Sequence, residues 1–306
     1  MRLHPATEPE EPGFPPDPDE IVRWRREADR EAVEVLTGTP VEVSRTEDRM
    51  ISGVPVRMYV PATAPAPPRG AIVYLHGGGW VFGSVTTLDG VCRRMADRST
   101  LAVVSVGYRL APEHPWPAAV DDGDAVVAAL AGGGAAVADL GVEATRIVAA
   151  GDSAGGFLTA VLARRARDAG RPLAGQVLVY PAIRRAALDA FDDGVGAAAG
   201  LSAGSMRWYW DQFLAGADPR DADPGELDPM AAGLAGLAPS LILTAEHDVL
   251  CAEGEAYADA LQVAGVDVTA DRLLGLPHGF LRQLTVFPQA GRTVDHIAAW
   301  ARDVAG

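Results

Sequence analysis

One serine lies in a glycine-flanked turn between a predicted strand and a predicted helix. The segment RIVAAGDSAGGF carries Ser153 in a G-x-S-x-G pattern, with apolar residues 146–150 before it and a helical pattern after it. In so tight a turn, side chains at Gly151 and Gly155 would collide with their surroundings. The turn exposes Ser153 at the carboxyl end of its strand, beside a helix N-terminus that favours a developing negative charge. The pattern therefore predicts a nucleophilic serine.

A second glycine-rich segment, HGGGW, begins at His76 directly after the predicted strand 71–75. Consecutive glycines let backbone N–H groups approach a bound carbonyl oxygen without a Cβ atom in the way. We expect the N–H groups of Gly78, Gly79 and Ala154 to form an oxyanion hole, and His76 to hold the loop. A phosphate-binding loop is the alternative, but it needs a lysine or an acidic ribose ligand, and neither is present.

A nucleophilic serine needs a base, and the chain contains six histidines. His278 follows the last predicted strand and lies after the serine in chain order, so it is the expected base. The acid that orients this histidine should lie between the two in sequence. Asp248 follows the predicted strand 240–246 at the same sheet edge and is the expected acid, while Glu246 is the competing candidate. Asp248 would fix the tautomer of His278 and stabilise the imidazolium rather than accept its proton.

The elements that must position these residues alternate in type along most of the chain. Continuous apolar runs are typical of strands buried on both faces, and their alternation with helical stretches indicates a largely parallel sheet covered by helices on both sides. A helical pattern at 18–36 precedes them, and two strand-like runs meet at a turn, Ser52-Gly53. The early strands are 41–48 and 54–61, the apolar runs are 71–77, 101–108, 146–152, 176–181, 240–246 and 266–274, and the helical stretches are 89–99, 118–130, 155–169, 252–264 and 290–304.

Composition restricts the chemistry further. The 306 residues carry 26 basic and 41 acidic side chains, a net charge of −15, which argues against nucleic acid or an anionic membrane as a partner. The chain has no lysine, so a Schiff base cannot form.

Cys92 and Cys251 lie far apart, outside any metal-ligand spacing, and are expected to be buried free thiols. The first twenty residues lack the apolar core of a signal peptide and no stretch is long enough to span a membrane, so we expect a cytoplasmic protein.

Five segments together resemble the bacterial hormone-sensitive-lipase-like carboxylesterases of the α/β-hydrolase fold: HGGGW, YRLAPEHPWPAA, GDSAGG, TAEHDVL and PHGF. The resemblance implies an α/β fold with a mostly parallel eight-stranded sheet, helices on both faces and a helical cap. It implies that Ser153, Asp248 and His278 form the catalytic triad. It also implies short- to medium-chain ester substrates and the ability to form a homodimer. The serine mechanism needs no metal or organic cofactor, and the acidic composition without a membrane span predicts no stable membrane association.

The long segment YRLAPEHPWPAA, at 108–119, is the most specific part of this resemblance. In the family it is a structural turn that supports the oxyanion loop, so Arg109 and Glu113 are expected to form a buried ion pair. The acid loop departs from the family's usual Asp-Pro-Leu-Arg-Asp and reads DVLCA from Asp248. HGGGW also fits kynurenine formamidases, so a metabolite-specific deacetylase or formamidase stays open, as does a dehydratase or a ligand-binding relative.

One interval interrupts the alternation of strands and helices. Residues 183–215 contain a cluster of aromatic side chains but no predicted strand. We expect an insertion at about 183–215 which, with the N-terminal helix, forms a cap over the sheet; the alternative is two extra helices whose aromatic side chains belong to the core. The chain then divides into an N-terminal segment with a cap helix at 1–40 and an α/β-hydrolase domain at 41–306.

Overall fold

The computed structural model describes residues 18–62, 69–134, 137–185, 200–215, 223–231 and 233–306. Eight strands form one sheet, and they are β1 (Arg45–Ile51), β2 (Val54–Val60), β3 (Ala71–Leu75), β4 (Ala102–Val106), β5 (Ile147–Asp152), β6 (Gly175–Val179), β7 (Ser240–His247) and β8 (Val268–Pro277). Their spatial order is β1-β2-β4-β3-β5-β6-β7-β8. Since only β2 is antiparallel to its neighbours, the expected mostly parallel eight-stranded sheet is confirmed.

Helices cover both faces of the sheet. Helices α3, α4 and α7 share one buried core with the sheet, and α2 and α8 share a second core on the other face. The helix α1 continues into a π-helical turn at Ala32–Leu36. The helices are α1 (Pro18–Glu31), α2 (Asp89–Ser99), α3 (Ala118–Ala131), α4 (Ala154–Asp168), α5 (Ala203–Phe213), α6 (Pro224–Leu227), α7 (Cys251–Val263) and α8 (Pro288–Ala305), with short 3-10 turns at Ala138–Leu140, Pro229–Ala231 and Phe280–Arg282.

The central strands β3, β4, β5 and β6 are buried at every position, as their continuous apolar runs predict. The edge strands differ from the expectation. β8 has mostly exposed or half-buried side chains, and it extends to Pro277 rather than ending at 274. β1 begins at Arg45 rather than 41. Its pairing with β2 starts at the two-residue turn of Ser52 and Gly53, where φ is 50° and 83°, and ends at Arg45.

The predicted insertion at 183–215 is described only in part, because 186–199 lie outside the described residues, as do 1–17 of the N-terminal segment. Its described part contains α5 and no strand. The rings of Trp210 and Phe213 each lie 4.5 Å from the ring of Trp80, inside the core shared with the sheet. These two aromatic side chains therefore belong to the core, as the alternative interpretation of this cluster expected.

The predicted ion pair between Arg109 and Glu113 is wrong. Arg109 pairs instead with Asp122 of α3, at 2.7 Å between Nη2 and Oδ1, and its backbone N–H donates to the same carboxylate at 2.9 Å. Glu113 binds Arg25 of α1 at 2.7 Å. The two side chains reach different elements because the proline-rich turn is not helical, so residues four apart do not share a face.

The same turn holds the glycine-rich loop, as the resemblance implied. The N–H of Ala111 donates to the carbonyl oxygen of Trp80 at 2.9 Å. The guanidinium of Arg25 donates to the carbonyl oxygens of Val81 at 2.7 Å and Ala111 at 2.9 Å. Arg25 thereby fastens α1 to both the turn and the loop.

Both cysteines are free and buried, as predicted. Among the helices in the described part of the chain, none is long and apolar enough to cross a membrane.

The corrected pairing of the turn predicts unequal stability losses. The side chain of Asp122 is 8% exposed and that of Glu113 is 47% exposed. Asp122→Ala should lower the free energy of unfolding by about 2–3 kcal/mol, because it removes a buried carboxylate that accepts hydrogen bonds from a backbone N–H and a guanidinium. Glu113→Gln should lower the free energy of unfolding by less than about 1 kcal/mol, because the ion pair of Glu113 is exposed to solvent. Urea unfolding of both variants measures the difference, and equal losses would contradict the assignment.

Candidate active site

Ser153 is the single residue between β5 and α4, and its φ of 55° lies in the left-handed region. A Cβ atom on Gly151 would lie 2.3 Å from the carbonyl oxygen of Gly155, and one on Gly155 would lie 1.9 Å from the carbonyl oxygen of Leu75. Both distances are too short for any side chain. The spacing of glycines around the serine therefore reflects the close approach of α4 to the sheet.

The three residues predicted as a triad come together at the carboxyl edge of the sheet. The Nε2 atom of His278 lies 2.9 Å from Oγ of Ser153, and its Nδ1 atom lies 2.6 Å from Oδ2 of Asp248. The side chain of Asp248 is fully buried, and its other oxygen accepts the N–H of Leu250 at 2.9 Å. With the carboxylate fixed on Nδ1, Nε2 faces the hydroxyl and can take its proton.

The competing acid is occupied elsewhere. Glu246 accepts the N–H of Gly275 at 2.6 Å, which ties β7 to β8. A second carboxyl group, that of Glu253, is buried in α7 and accepts the N–H groups of Ile183 and Arg184 at 3.0 and 3.4 Å. Burial raises the pKa of Glu253 to about 8. Neither carboxyl group takes the place of Asp248 beside the histidine.

The glycine-rich loop places two N–H groups near the serine. Gly78 and Gly79 have φ values of 118° and 60°. A Cβ atom on Gly78 would lie 2.3 Å from the carbonyl oxygen of Phe82, and one on Gly79 would lie 2.2 Å from the ring of Tyr209. Within the ranges that the structure describes, no acceptor is bound to the N–H groups of Gly78, Gly79 or Ala154. These groups are therefore free to bind an oxygen of a ligand.

Asp152 is a site residue that sequence reasoning missed. Its buried carboxylate accepts the N–H of Gly77 at 2.9 Å and the hydroxyl of Tyr74 at 3.0 Å. Burial raises the pKa of this carboxyl, whereas the two hydrogen bonds act to lower it. Asp152 thus fastens the glycine-rich loop to the residue before the nucleophile candidate. The sequence could have indicated this role, because Asp152 lies inside the G-x-S-x-G pattern at the end of a strand that adjoins β3.

His76 holds the loop from the other side, as expected. Its ring is buried and stacks on the ring of Tyr108 at 4.2 Å between centroids. Burial lowers the pKa of His76 to about 4, so the ring is neutral at neutral pH. Its Nδ1–H can then donate to the carbonyl oxygen of Gly77, 2.8 Å away.

A cavity of about 300 Å³ opens above the serine. Its walls come from α1, the glycine-rich loop, α5 and the segment that follows the histidine. Among the described residues, no three or more His, Cys, Asp or Glu side chains are arranged to hold a metal ion. The lining includes Trp24, Ala28, Gly78, Gly79, Phe82, Ser153, Leu201, Met206, Tyr209, His278 and Arg282.

The sheet, the sharp turn that carries Ser153 and the histidine beside it define this protein as an α/β hydrolase. Comparison with known proteins agrees, since a family model described as the alpha/beta hydrolase fold matches residues 72–282. The chain therefore belongs to this family and, within it, to the hormone-sensitive-lipase-like carboxylesterases. The sequence resemblance to that family is confirmed.

Three relatives illustrate the match. Carboxylesterase NlhH from Mycobacterium tuberculosis is 38% identical over 275 residues, which cover 89% of this chain and 85% of that protein. A hyperthermophilic esterase from the archaeon Pyrobaculum calidifontis superposes with a TM-score of 0.83 at 37% identity, over 93% of this chain and 94% of that one. An esterase from the bacterial hormone-sensitive lipase family superposes with a TM-score of 0.81 at 25% identity, over 98% and 94% of the two chains.

The two carboxylates near the histidine make a matched test. Asp248→Asn should lower kcat for a p-nitrophenyl ester by about 10⁴-fold, because the amide favours the wrong tautomer of His278. Glu246→Gln should change kcat by less than about threefold, since its contact with Gly275 affects only the pairing of β7 with β8. Steady-state kinetics of the two folded variants decide the matter. If the glutamine variant carries the large loss, the acid is Glu246.

Proposed function

We propose that this protein is a serine carboxylesterase that hydrolyses short- to medium-chain carboxylic esters through an acyl-enzyme intermediate. The observation that carries the proposal is the continuous contact from Ser153 Oγ to His278 Nε2 and from His278 Nδ1 to Asp248. Oxygen nucleophiles activated by such a base are typical of acyl transfer. The match to carboxylesterases along most of the chain supports the same reaction class.

Acylation begins when His278 takes the proton of Ser153 and the serine oxygen attacks the ester carbonyl carbon. The carbonyl oxygen becomes an oxyanion, which the N–H groups of Gly78, Gly79 and Ala154 stabilise. Collapse of this intermediate breaks the bond to the alkoxy group, and the imidazolium returns its proton to the leaving alcohol. The carboxylate of Asp248 stabilises the imidazolium in between.

Deacylation repeats these steps with water in place of the serine. His278 removes a proton from the water, the resulting nucleophile attacks the acyl carbon, and the same N–H groups bind the second oxyanion. The carboxylic acid then leaves, and the proton returns to Ser153. None of these steps needs a metal ion or an organic cofactor.

The helices α1 and α5 form the cap in this proposal, and the rest of the described chain forms the hydrolase domain. Trp24 of α1, together with Met206 and Tyr209 of α5, lines the cavity above the serine. The ring of Tyr209 lies directly over Gly79, where even a methyl group would collide with it. A roof this close to the N–H groups limits the size of the ester and keeps water away from the intermediate.

We propose a cellular location, a substrate type and an assembly from the cysteines, the net charge and the family resemblance. Two buried free thiols suit the reducing cytoplasm. A net charge of −15 disfavours nucleic acid as a partner and leaves small-molecule esters as the substrates. A homodimer is the proposed assembly, and it rests on the family resemblance alone.

The nucleophile is tested directly with p-nitrophenyl butyrate. Ser153→Ala should lower kcat by at least about 10⁴-fold while the protein stays folded, because only the reacting side-chain oxygen is removed. An organophosphate should inactivate the wild type and add one covalent group at Ser153, which mass spectrometry detects. Ordinary turnover by the alanine variant would overturn the proposal. Faster hydrolysis of an aryl formamide than of the matched ester would favour the formamidase alternative instead.

The cap is tested by enlarging the cavity. Met206 is 2% exposed and lines the cavity, whereas Met95 of α2 is fully buried in the core on the opposite face. Met206→Ala should shift the preference among p-nitrophenyl acetate through decanoate towards longer acyl chains, because it widens the space above the serine. Met95→Ala removes the same atoms elsewhere and should destabilise the fold by about 2–5 kcal/mol without a shift in preference. The same profile for both variants would exclude α5 from the acyl-binding region.

A further inference from the structure

Arg282 brings a positive charge to the edge of the cavity that contains Ser153. It ends the 3-10 turn that starts directly after Gly279, four residues beyond His278. The two other residues of this turn, Phe280 and Leu281, are fully buried and anchor it. The chain after the turn is also fixed, since Thr285 hydrogen-bonds through its side chain and its backbone to the π-helical turn that follows α1. The guanidinium therefore starts from a rigid support.

This guanidinium has no partner among the residues that the structure describes. Most arginines in the described ranges form ion pairs. Arg25 and Arg109, for example, each bind a carboxylate at 2.7 Å. Arg282 forms neither a hydrogen bond nor an ion pair with any described residue. An arginine that lines a reaction cavity without a carboxylate is a candidate for binding a ligand's negative charge, because its planar fork matches a carboxylate.

The charge of Arg282 affects titratable groups near the cavity. Burial raises the pKa of Tyr209 to about 12 and also raises the pKa values of Tyr180 and Asp152, and the charge of Arg282 acts in the opposite direction on all three. Asp152 and Arg282 form no ion pair, and the carboxylate of Asp152 accepts hydrogen bonds from Gly77 and Tyr74 instead. The field of the guanidinium thus extends to the place where substrate would bind.

On its outer side Arg282 meets acidic residues at a longer range. Glu27, Glu31 and Glu34 line a neighbouring cavity together with Arg30 and Arg282, and none of these carboxylates lies within 4.0 Å of the guanidinium of Arg282. The three carboxylates attract the guanidinium weakly through solvent, and they repel a dianion about twice as strongly as a monoanion. The surroundings favour a monoanionic carboxylate over a phosphate dianion.

We propose that Arg282 binds a carboxylate of the substrate, so that the preferred substrates are small esters that also carry one carboxylate group. The inference rests on the proposed esterase function and narrows its substrate class. The carboxylate can belong to the acyl part, as in a half-ester of a dicarboxylic acid, or to the alcohol part, as in an acylated hydroxy acid. Arg282 is a specificity residue in either case, because it touches the substrate away from the bond that breaks.

Two pairs of substrates test the inference and separate the two sources of the carboxylate. Monomethyl glutarate against dimethyl glutarate places the charge on the acyl part. The pair 4-acetoxybenzoate and methyl 4-acetoxybenzoate places it on the alcohol part and keeps the leaving group similar. The readout is the ratio of kcat/KM for the charged ester to that for its neutral partner, measured within each variant, so a general loss of activity cancels.

Arg282→Gln should lower this ratio by about 10- to 100-fold for one of the two pairs, the range expected for losing a charge-assisted bidentate contact. Most of the change should appear in KM, because the contact forms in ground state and transition state alike. Arg282→Lys keeps the charge without the planar fork and should retain part of the preference. Arg302→Gln is the control, since Arg302 lies on α8 and pairs with Asp303 at the surface, and its ratio should equal that of the wild type.

Ratios that are the same in the wild type and in Arg282→Gln, for both pairs, would overturn the inference while leaving the esterase function intact. A proportional loss on charged and neutral esters would overturn it as well, because it would show a structural role for the arginine. If the wild type hydrolyses no ester of either pair and no p-nitrophenyl ester, the proposed function itself fails.

Discussion

The site depends on how closely the first turn of α4 approaches the end of β3. A Cβ atom on Gly155 would lie 1.9 Å from the carbonyl oxygen of Leu75, so the backbones of helix and strand nearly touch. This approach forces Ser153 into a conformation with positive φ, which side chains rarely adopt. The strain is held because β5 is hydrogen-bonded on both sides and α4 is buried against the sheet. The proposed nucleophile is therefore rigid before any substrate binds.

The same approach links the serine to the loop that supplies the proposed oxyanion hole. Asp152, the neighbour of Ser153, accepts the N–H of Gly77, so the position of the loop is set by the residue that precedes the proposed nucleophile. Arg25 then ties α1 to the far end of that loop. The proposed cap and the oxyanion-binding groups are thus parts of one hydrogen-bonded assembly. A shift of α1 would be transmitted to the loop through the contact with Val81.

Charge is distributed unevenly between this assembly and its surroundings. A chain with a net charge of −15 pairs most of its arginines with carboxylates on neighbouring elements, as with Arg164 and Arg165 around Glu226. Arg282, at the cavity edge, forms no such pair within the described part of the chain. The proposed role of Arg282 follows from this distribution, since the field of a guanidinium is screened less inside a cavity than at the open surface.

The sequence by itself determined the central sheet and the residues that meet at its carboxyl edge. Apolar runs buried on both faces identify β3 to β6, and the tight turns around Ser153 admit only glycine, so both features are visible as local patterns. The proposed acid and base follow from chain order, because parallel strands end at the same edge. The tertiary structure alone decided which side chains pair across elements. Arg109 binds Asp122 rather than Glu113 because α3 lies beside the turn, and Asp152 holds the loop because β5 adjoins β3. Arg282 reaches the cavity because the chain after His278 is hydrogen-bonded to the π-helical turn that follows α1. Such pairings depend on distances in space that spacing along the chain does not encode.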